Sequence, residues 1–305
     1  NYENDKLNLI AEYNKNGYRD AKIKHDTVII NNANNISIKI TLQEGETYQF
    51  GDISFAGNTI YSTEQLKNQL GIEKGDIFDQ SILDSRISGG FEGGDISSLY
   101  LDDGYLFFNA NPVETSINNN QIDFEVRIYE GEQARINKVL LRGNSKTNDH
   151  VIMRELRTRP GNLFKRSEII RSQRELAQMQ YFDPEKFDVK VDPDPKRNEV
   201  DITYIVEEKS SDQIQLQGGW GAGRIVGQLG LTFNNFSTKN VFKLDKWTPL
   251  PSGDGQRLSL SASSNGIYYQ NYRISFTEPW LGGKKPNSLT ISLSKSISSN
   301  GQNGD

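Results

Sequence analysis

The sequence predicts a tandem of small α+β modules followed by a run of antiparallel β-strands. Two fifteen-residue segments, EGETYQFGDISFAGN at 44–58 and EGEQARINKVLLRGN at 130–144, share a Glu-Gly-Glu start, a Gly-Asn end and matching apolar positions. A strand with strict apolar alternation leads into each segment, and a third such strand lies at 200–206. After Lys209 the helix signals stop and only alternating strands remain.

Each module follows the order strand, helix, helix, strand, strand. In the second module Ser62 can cap a helix together with Gln65, and Gly71 ends that helix. The next module repeats the plan with a Pro160-Gly161 stop. The first module holds only its last helix and two strands, which favours a trimmed chain. The predicted modules are 1–46, 47–131 and 132–208.

The segment 209–305 predicts about five strands, each with one apolar and one polar face. Alternation alone fits both a soluble sandwich and a transmembrane barrel, because both have one apolar face. Small or hydrophilic residues on the polar face favour the barrel, as do aromatic residues near strand ends. A barrel needs at least about eight strands, so it would continue past Asp305. The strand-end aromatic residues are Trp220, Tyr268, Tyr269 and Trp280.

Composition and charge narrow the function classes. The chain has 35 Lys and Arg against 40 Asp and Glu, which argues against a dedicated nucleic-acid binder. The segment 209–305 carries ten basic and five acidic residues while the rest is acidic, so two environments are expected. The absence of cysteine excludes disulfides and thiolate metal sites. No apolar run reaches the roughly 18–20 residues of a membrane helix.

No catalytic or cofactor-binding constellation is visible in the sequence. His25 and His150 lie in separate modules, which supports neither a metal site nor a general base. The segment GGWGAG lacks the helix and the Lys-Ser/Thr pair of a phosphate loop. We therefore expect a protein that is not an enzyme and has no cofactor.

Several of these motifs resemble a known family. The Gly-Asn turns (FAGN, LRGN), the Gly-Tyr turns (NGY, DGY), the Glu-Gly-Glu strand ends and FTEPWLGG at 276–283 are together similar to the BamA family of outer-membrane assembly factors. The modules resemble POTRA domains, and the segment after Lys209 resembles the start of the family's β-barrel. The resemblance covers essentially the whole chain and rests on the order of these motifs.

The resemblance implies tandem β-α-α-β-β POTRA modules, followed by the first antiparallel strands of a transmembrane β-barrel that is incomplete in this chain. The three modules would be the third, fourth and fifth of the arm, and 209–305 would hold about five barrel strands. The implied location is the bacterial outer membrane, with the arm in the periplasm. The family's Arg-Gly-(Phe/Tyr) motif is absent from this sequence, so that part of the mechanism is not carried over.

The function implied by the resemblance is the assembly and insertion of outer-membrane proteins. The arm would receive unfolded β-barrel clients by β-strand addition, and the first barrel strand would template their insertion. The implied partners are unfolded outer-membrane β-barrel proteins, periplasmic lipoproteins of an assembly complex and outer-membrane lipids, with no nucleic acid.

In the family the middle strand of each module lies at a sheet edge, where it can accept another strand through backbone hydrogen bonds. The alternative is an ordinary edge kept monomeric by charges and prolines. The matching segments are Ala21–Ile30, Phe107–Ser116 and Phe187–Asp192. The edge residues that we select are Lys22, Ile23, Lys24, Phe107, Phe108, Val189 and Lys190.

The first barrel strand, Gln213 to Gly221, is the stronger candidate for client binding. In the family it pairs weakly with the last strand and can open to offer its edge. Its glycines would weaken packing and ease this opening, or they would only form a turn and a close approach. The residues of this edge are Gln213, Ile214, Gln215, Leu216, Gln217, Gly218, Gly219 and Trp220.

A cluster of basic residues lies in the third module. Seven Arg and Lys between Arg154 and Arg174 stand against two Glu. They form either a solvated helix face or a docking site for an acidic lipoprotein or anionic headgroups. The selected residues are Arg154, Arg157, Arg171 and Arg174.

Three other functions are also compatible with the sequence. A TamA-like protein and a two-partner secretion transporter belong to the same superfamily and differ in the number of modules in the complete arm. A soluble secreted adhesin or scaffold with a β-sandwich tail belongs to a different class, and detergent dependence of the segment after Lys209 would separate it from a membrane protein.

Overall fold

The computed structural model describes residues 1–32, 35–89, 93–221, 224–247, 250–266 and 268–299. The chain divides into two compact units. The first comprises Asn1–Arg135, Gly161–Ser167 and Pro193–Val200, and the second comprises Ile136–Pro160, Glu168–Asp192 and Asp201–Asp305.

The first module is a helix followed by a hairpin. Its elements are α1 (Tyr2–Lys15), β1 (Lys22–Asn32) and β2 (Asn35–Gln43), with β1 and β2 paired antiparallel. The predicted Gly-Tyr turn follows α1, and Gly17 has a φ of +87° there. The Gly17 carbonyl accepts a hydrogen bond from the Tyr48 N–H over 2.8 Å, so this turn contacts the start of the next module.

The second module has the predicted order with one additional helix break. Its elements are β3 (Gln49–Ala56), α2 (Thr63–Leu70), α3 (Gln80–Ser88), α4 (Ile96–Asp102), β4 (Asn109–Asn118) and β5 (Gln121–Tyr129). The predicted capping pair is present, since Ser62 and Gln65 each bond the other's backbone N–H and Gly71 ends α2 in the left-handed conformation. The strand order is β3-β5-β4, with β3 parallel and β4 antiparallel to β5. The helices bury Leu66, Leu83 and Tyr100 against this sheet.

The third module repeats this topology. Its elements are β6 (Arg135–Arg142), α5 (Asp149–Met153), α6 (Arg166–Gln178), β7 (Asp188–Asp194) and β8 (Glu199–Ile205). The strand order is β6-β8-β7, so β7, like β4, is an edge strand. Among its buried residues, Tyr204 is almost fully enclosed and exchanges a 3.0 Å hydrogen bond with Thr158.

The repeated Gly-Asn turn has one structural explanation in both modules. Gly57 and Gly143 have φ values of +90° and +94°, and a Cβ there would lie 2.2 Å from the Ile128 carbonyl oxygen and 1.8 Å from that of Val206. Only glycine has room at these positions. The following asparagine, Asn58 or Asn144, then donates to a backbone carbonyl three residues further on.

A glutamate at the end of the last strand of the second and of the third module completes the same turn. Glu130 accepts hydrogen bonds from the N–H groups of Thr59 and Ile60, and Glu208 accepts them from residues 145–147. Burial alone would raise the pKa of both carboxyls, but these hydrogen bonds outweigh it and lower the pKa. Glu130, the first residue of the second Glu-Gly-Glu motif, is therefore structural, and Glu208 has the same role without that motif.

The segment after the third module forms one antiparallel sheet that is open as far as the structure describes it. Its strands are β9 (Gln213–Gly221), β10 (Arg224–Phe236), β11 (Gln256–Ser264), β12 (Tyr269–Glu278) and β13 (Leu289–Ser298). They pair in sequence order, which leaves β9 and β13 at the two edges. Among the described residues, no helix is both long and apolar enough to cross a membrane.

Candidate functional site

Strand β9 holds the whole predicted client-binding edge, from Gln213 through Ile214, Gln215, Leu216, Gln217, Gly218 and Gly219 to Trp220. Among the strands that the structure describes, it pairs with β10 on one side and with no strand on the other. The side chains of Ile214, Leu216 and Trp220 are 77, 82 and 74% exposed, so β9 buries little apolar surface of its own. A strand held mainly by one hydrogen-bonded ladder is the least restrained element of a sheet.

No described contact requires a glycine at Gly218 or Gly219 of β9. A Cβ at Gly219 would meet nothing within 4 Å, and one at Gly218 would meet only the Val226 carbonyl oxygen, at 3.9 Å. Neither glycine has the positive φ of a turn. Among the described residues, nothing therefore approaches Gly218 or Gly219 closely, while Gly223 lies outside the described residues. Their remaining physical effect is to reduce packing and to increase backbone freedom.

The register across the sheet separates an apolar face from a polar one. On the polar face Gln215 is level with Gly230, Ser261, Arg273 and Ser294. The central apolar row is Ile214, Leu231, Leu260, Ile274 and Leu293. A continuous exposed apolar face is the pattern of a strand set that contacts lipid.

The predicted module edges are partly corrected. Lys22, Ile23 and Lys24 lie in β1, and Val189 and Lys190 lie in the edge strand β7. Phe107 and Phe108, however, precede β4, which begins at Asn109. The Phe108 ring stacks on the core residue Tyr100 at 4.1 Å between centroids, so packing and not strand pairing determines its position.

The four predicted docking arginines have different surroundings. Arg157 binds both carboxylate oxygens of Glu175, which Arg171 also contacts at 3.2 Å. The Glu175 carboxylate raises the pKa of Arg157. Arg154 is half-buried, with its guanidinium 5.5 Å from the centroid of the Trp280 ring. Arg174 is exposed and forms no ion pair within the described part of the chain.

A polar joint within the second compact unit connects α5 to the turn that precedes β11. We define the joint as Asn148, Glu155, Asn235, Asp254 and Trp280. The Asn148 side chain donates to Asp254 over 3.0 Å, and its backbone N–H donates to the Gly253 carbonyl over 3.0 Å. Asn235 donates to Thr147 over 2.8 Å, and Trp280 donates to Glu155. Two elements far apart in sequence are therefore fixed to each other.

The sequence does not predict this joint. Asp254 is 5% exposed and also accepts from Ser237 over 2.7 Å, but an isolated Asp carries no pattern that marks it as buried. The two glycines of the segment GDG were the sequence feature that indicated a turn or a close approach at this place. Gly253 and Gly255 have φ values of +123° and +70°, and a Cβ on either would lie within 3 Å of residues in the third module. Trp280, which the sequence predicts among the interfacial aromatics, donates its indole N–H to this joint.

No described part of the chain places three His, Cys, Asp or Glu side chains where they could hold a metal ion. His25 contacts Thr27 at 3.3 Å, and His150 lies 3.6 Å from Asp254 at the joint. The described surface offers backbone strand edges and an apolar sheet face.

Comparisons with known proteins agree with this architecture. Residues 48–131 and 134–209 match the POTRA family, described as a surface antigen variable number repeat. The chain is 28% identical over 284 residues to the outer membrane protein assembly factor BamA of Nitratidesulfovibrio vulgaris, covering 91% of this chain and 33% of that protein. It spans about a third of the length of the curated relatives it matches.

Two solved structures have the same fold. BamA of Haemophilus ducreyi lacking POTRA domains 1-3 superposes with a TM-score of 0.62 at 21% identity, covering 84% of this chain and 44% of that one. Haemophilus influenzae BamA POTRA3-5 gives a TM-score of 0.56 at 21% identity, covering 68% and 80%.

Matched repeats, module topology and the open sheet define a protein of tandem POTRA modules joined to the start of an antiparallel barrel. Within that class, the chain belongs to the BamA family. The family comprises assembly factors rather than catalysts.

Proposed function

We propose that this chain belongs to a factor that inserts β-barrel proteins into the bacterial outer membrane. Its POTRA arm lies in the periplasm and receives unfolded outer-membrane β-barrel proteins by strand addition. Strand β9 then templates their insertion by pairing with a client strand. The names of the curated relatives support the general role, since they are outer membrane protein assembly factors.

The edge position of β9 among the described strands is the observation that carries this proposal. Of these strands only β10 pairs with it, so its other side presents backbone N–H and C=O groups, with exposed apolar side chains on one face and glutamines on the other. Backbone pairing is independent of side-chain identity, so one edge can serve many client sequences. Glycines that no contact requires would let this edge separate and pair again.

The arm would use the same backbone chemistry more weakly. We propose Lys22, Ile23 and Lys24 in β1, and Val189 and Lys190 in β7, as transient pairing positions. In the second module the pairing positions move to β4, beyond Phe107 and Phe108. Pro112 cannot donate a backbone hydrogen bond, so pairing along β4 is interrupted there.

Docking of a partner lipoprotein or of lipid headgroups would use the arginine surface of the third module. Arg174 is the most accessible cation. Arg157 and Arg171 would contribute less, because Glu175 partly neutralises their charges. Arg154 is withdrawn to the joint. We expect neither a nucleic-acid partner nor a cofactor.

We also propose module limits of 1–46, 47–131 and 132–208, with the barrel strands in 209–305. The segments matched to the POTRA family support the two complete modules. The fold likeness to a structure of POTRA domains 3-5 supports their assignment as the barrel-proximal end of an arm.

The test is a disulfide crosslink from β9 to a client's terminal strand. The chain has no cysteine, so Gln215→Cys introduces a single thiol at the edge. Gln228→Cys is the matched control, because it places the same substitution on the same face of the interior strand β10. Adjacent strands lie about 4.8 Å apart and disulfides need Cα atoms within roughly 7 Å, so only the edge thiol can reach a paired client. Equal yields from both positions, or none from Gln215→Cys, would remove β9 as the template.

A further inference from the structure

The connection between β10 and β11 contains an exposed apolar segment that the proposed function does not use. It runs through two short 3₁₀ helices, Thr238–Asn240 and Leu244–Lys246. Phe242, which lies between the two helices, is 95% exposed, and Leu244, the first residue of the second helix, is 79% exposed. Trp247 is exposed as well, and a patch of neighbouring exposed apolar side chains marks a contact with protein or membrane.

This segment is held in shape by its own hydrogen bonds. The Ser237 hydroxyl accepts from the Asn240 N–H, and the Asn240 side chain donates to the Ser252 carbonyl. The Trp247 indole donates to the Val241 carbonyl over 3.3 Å. Phe242 is therefore exposed on a loop that its own hydrogen bonds hold in a defined conformation.

The loop leaves the sheet on its apolar side. The Phe236 ring lies 6.5 Å from that of Phe276, which belongs to the apolar face. Gln256 lies on the same face as Leu258, because alternate residues of a strand share a face. The side-chain oxygen of Gln256 accepts a hydrogen bond from the Thr238 N–H over 2.7 Å. The exposed segment thus continues the apolar face past the strand ends.

The charges around Phe242 complement a negatively charged surface. Lys239 and Lys243 are exposed and make no ion pair with any residue that the structure describes. The sequence adds Lys246 and only one acid, Asp245. Apolar and aromatic residues flanked by lysines are typical of segments that lie in the headgroup region of a leaflet.

We propose that residues 238–247 form a membrane anchor that inserts Phe242 and Leu244 into the periplasmic leaflet. Lys239 and Lys243 bind the phosphates of anionic phospholipids beside it. The anchor holds the periplasmic ends of β10 and β11 while the neighbouring edge strand β9 remains free to separate. This inference rests on the proposed placement of the sheet in the outer membrane.

The test uses the purified protein reconstituted in phosphatidylcholine vesicles, with a single cysteine that carries an environment-sensitive fluorophore. Phe242→Cys is the probe, Leu293→Cys on the apolar face reports lipid contact, and Lys196→Cys in the β7–β8 turn reports water. We expect the label at position 242 to shift its emission to shorter wavelength and to lose intensity to lipids spin-labelled near the headgroup. Added phosphatidylglycerol should increase this loss, and Lys239→Gln with Lys243→Gln should abolish the increase.

The outcomes separate the anchor from the function on which it rests. If the label at 242 behaves like that at 196 while the label at 293 is quenched, the anchor is wrong and the membrane sheet stands. If neither 242 nor 293 is quenched, the placement of the sheet in the membrane is wrong. A blue-shifted label at 242 that spin-labelled lipid does not quench would mean that polypeptide covers the segment, which also overturns the lipid anchor.

Discussion

The indole N–H of Trp280 donates a hydrogen bond to the carboxylate of Glu155 over 2.6 Å. Trp280 follows the fourth strand of the open sheet, and Glu155 lies just past α5 of the third POTRA module. The guanidinium of the adjacent Arg154 lies over the same indole ring. One aromatic side chain therefore joins a module of the arm to the sheet through a hydrogen bond and a cation–π contact.

Trp280→Phe should weaken this joint. The variant keeps a ring for Arg154 but removes the hydrogen-bond donor, so the half-buried carboxylate of Glu155 retains only its 3.7 Å ion pair with Arg154. We expect a loss of about 1–3 kcal/mol in the free energy of unfolding. Urea unfolding of the detergent-solubilised protein measures it. Trp220→Phe on the exposed edge strand is the control, and an equal loss in both variants would contradict the role of the joint.

Glu155 should also give the joint a pH dependence. Burial raises the pKa of its carboxyl above the ordinary 4.5, against the opposing effects of the Trp280 hydrogen bond and the Arg154 charge. Because the folded-state pKa is the higher one, the contribution of Glu155 to stability is fully present below pH 4.5 and is lost as the pH rises through the folded pKa.

Glu155→Gln should remove that dependence, because its amide oxygen can still accept from Trp280 without a charge. The stability of the variant relative to the parent should therefore rise between about pH 4 and pH 7. Urea midpoints across this range measure the difference. A difference that stays constant with pH would show that the carboxyl is not perturbed.

The Gly-Asn turn predicts a contrast between two glycines of the third module. Gly143 and Gly161 both have a left-handed φ, but an added Cβ clashes with the Val206 carbonyl only at Gly143 and meets nothing at Gly161. Gly161→Ala should cost about 1–2 kcal/mol for the backbone conformation alone. Gly143→Ala should cost clearly more, or prevent folding of the module. Equal urea midpoints for the two variants would contradict the steric account.

The sequence predicts the features of the structure that depend on local contacts, and it does not predict those that depend on tertiary contacts. The alternation of Ile214 and Leu216 and the cap at Ser62 depend on near neighbours, so strands, helices and edges could be predicted. The joint depends on Asn148 and Asp254 meeting across the fold, and nothing local encodes their contact. The family resemblance places Phe108 in an edge strand, whereas its stacking on Tyr100 is a tertiary contact that no local pattern encodes.

The glycines of β9 predict a separation of stability from function. Since a Cβ at Gly219 meets nothing, Gly219→Ala should leave folding unchanged or stabilise it by about 0.4–1 kcal/mol. It should nevertheless slow client insertion, because the edge strand loses backbone freedom. Gly227→Ala in the interior strand β10 is the matched control, as a Cβ there also meets nothing. Insertion of a β-barrel client into vesicles measures the rate, and equal rates for both variants would show that these glycines do not assist opening.

The most direct test of the account is the register of crosslinks between β9 and a stalled client. Single cysteines at Gln213, Gln215 and Gln217 are each combined with a cysteine scan of the client's terminal strand. Template pairing predicts that each step of two residues along β9 moves the best partner by two residues along the client, with no product from Gln228→Cys. Crosslinks without a register, or equal products from the interior strand, would contradict strand templating by β9.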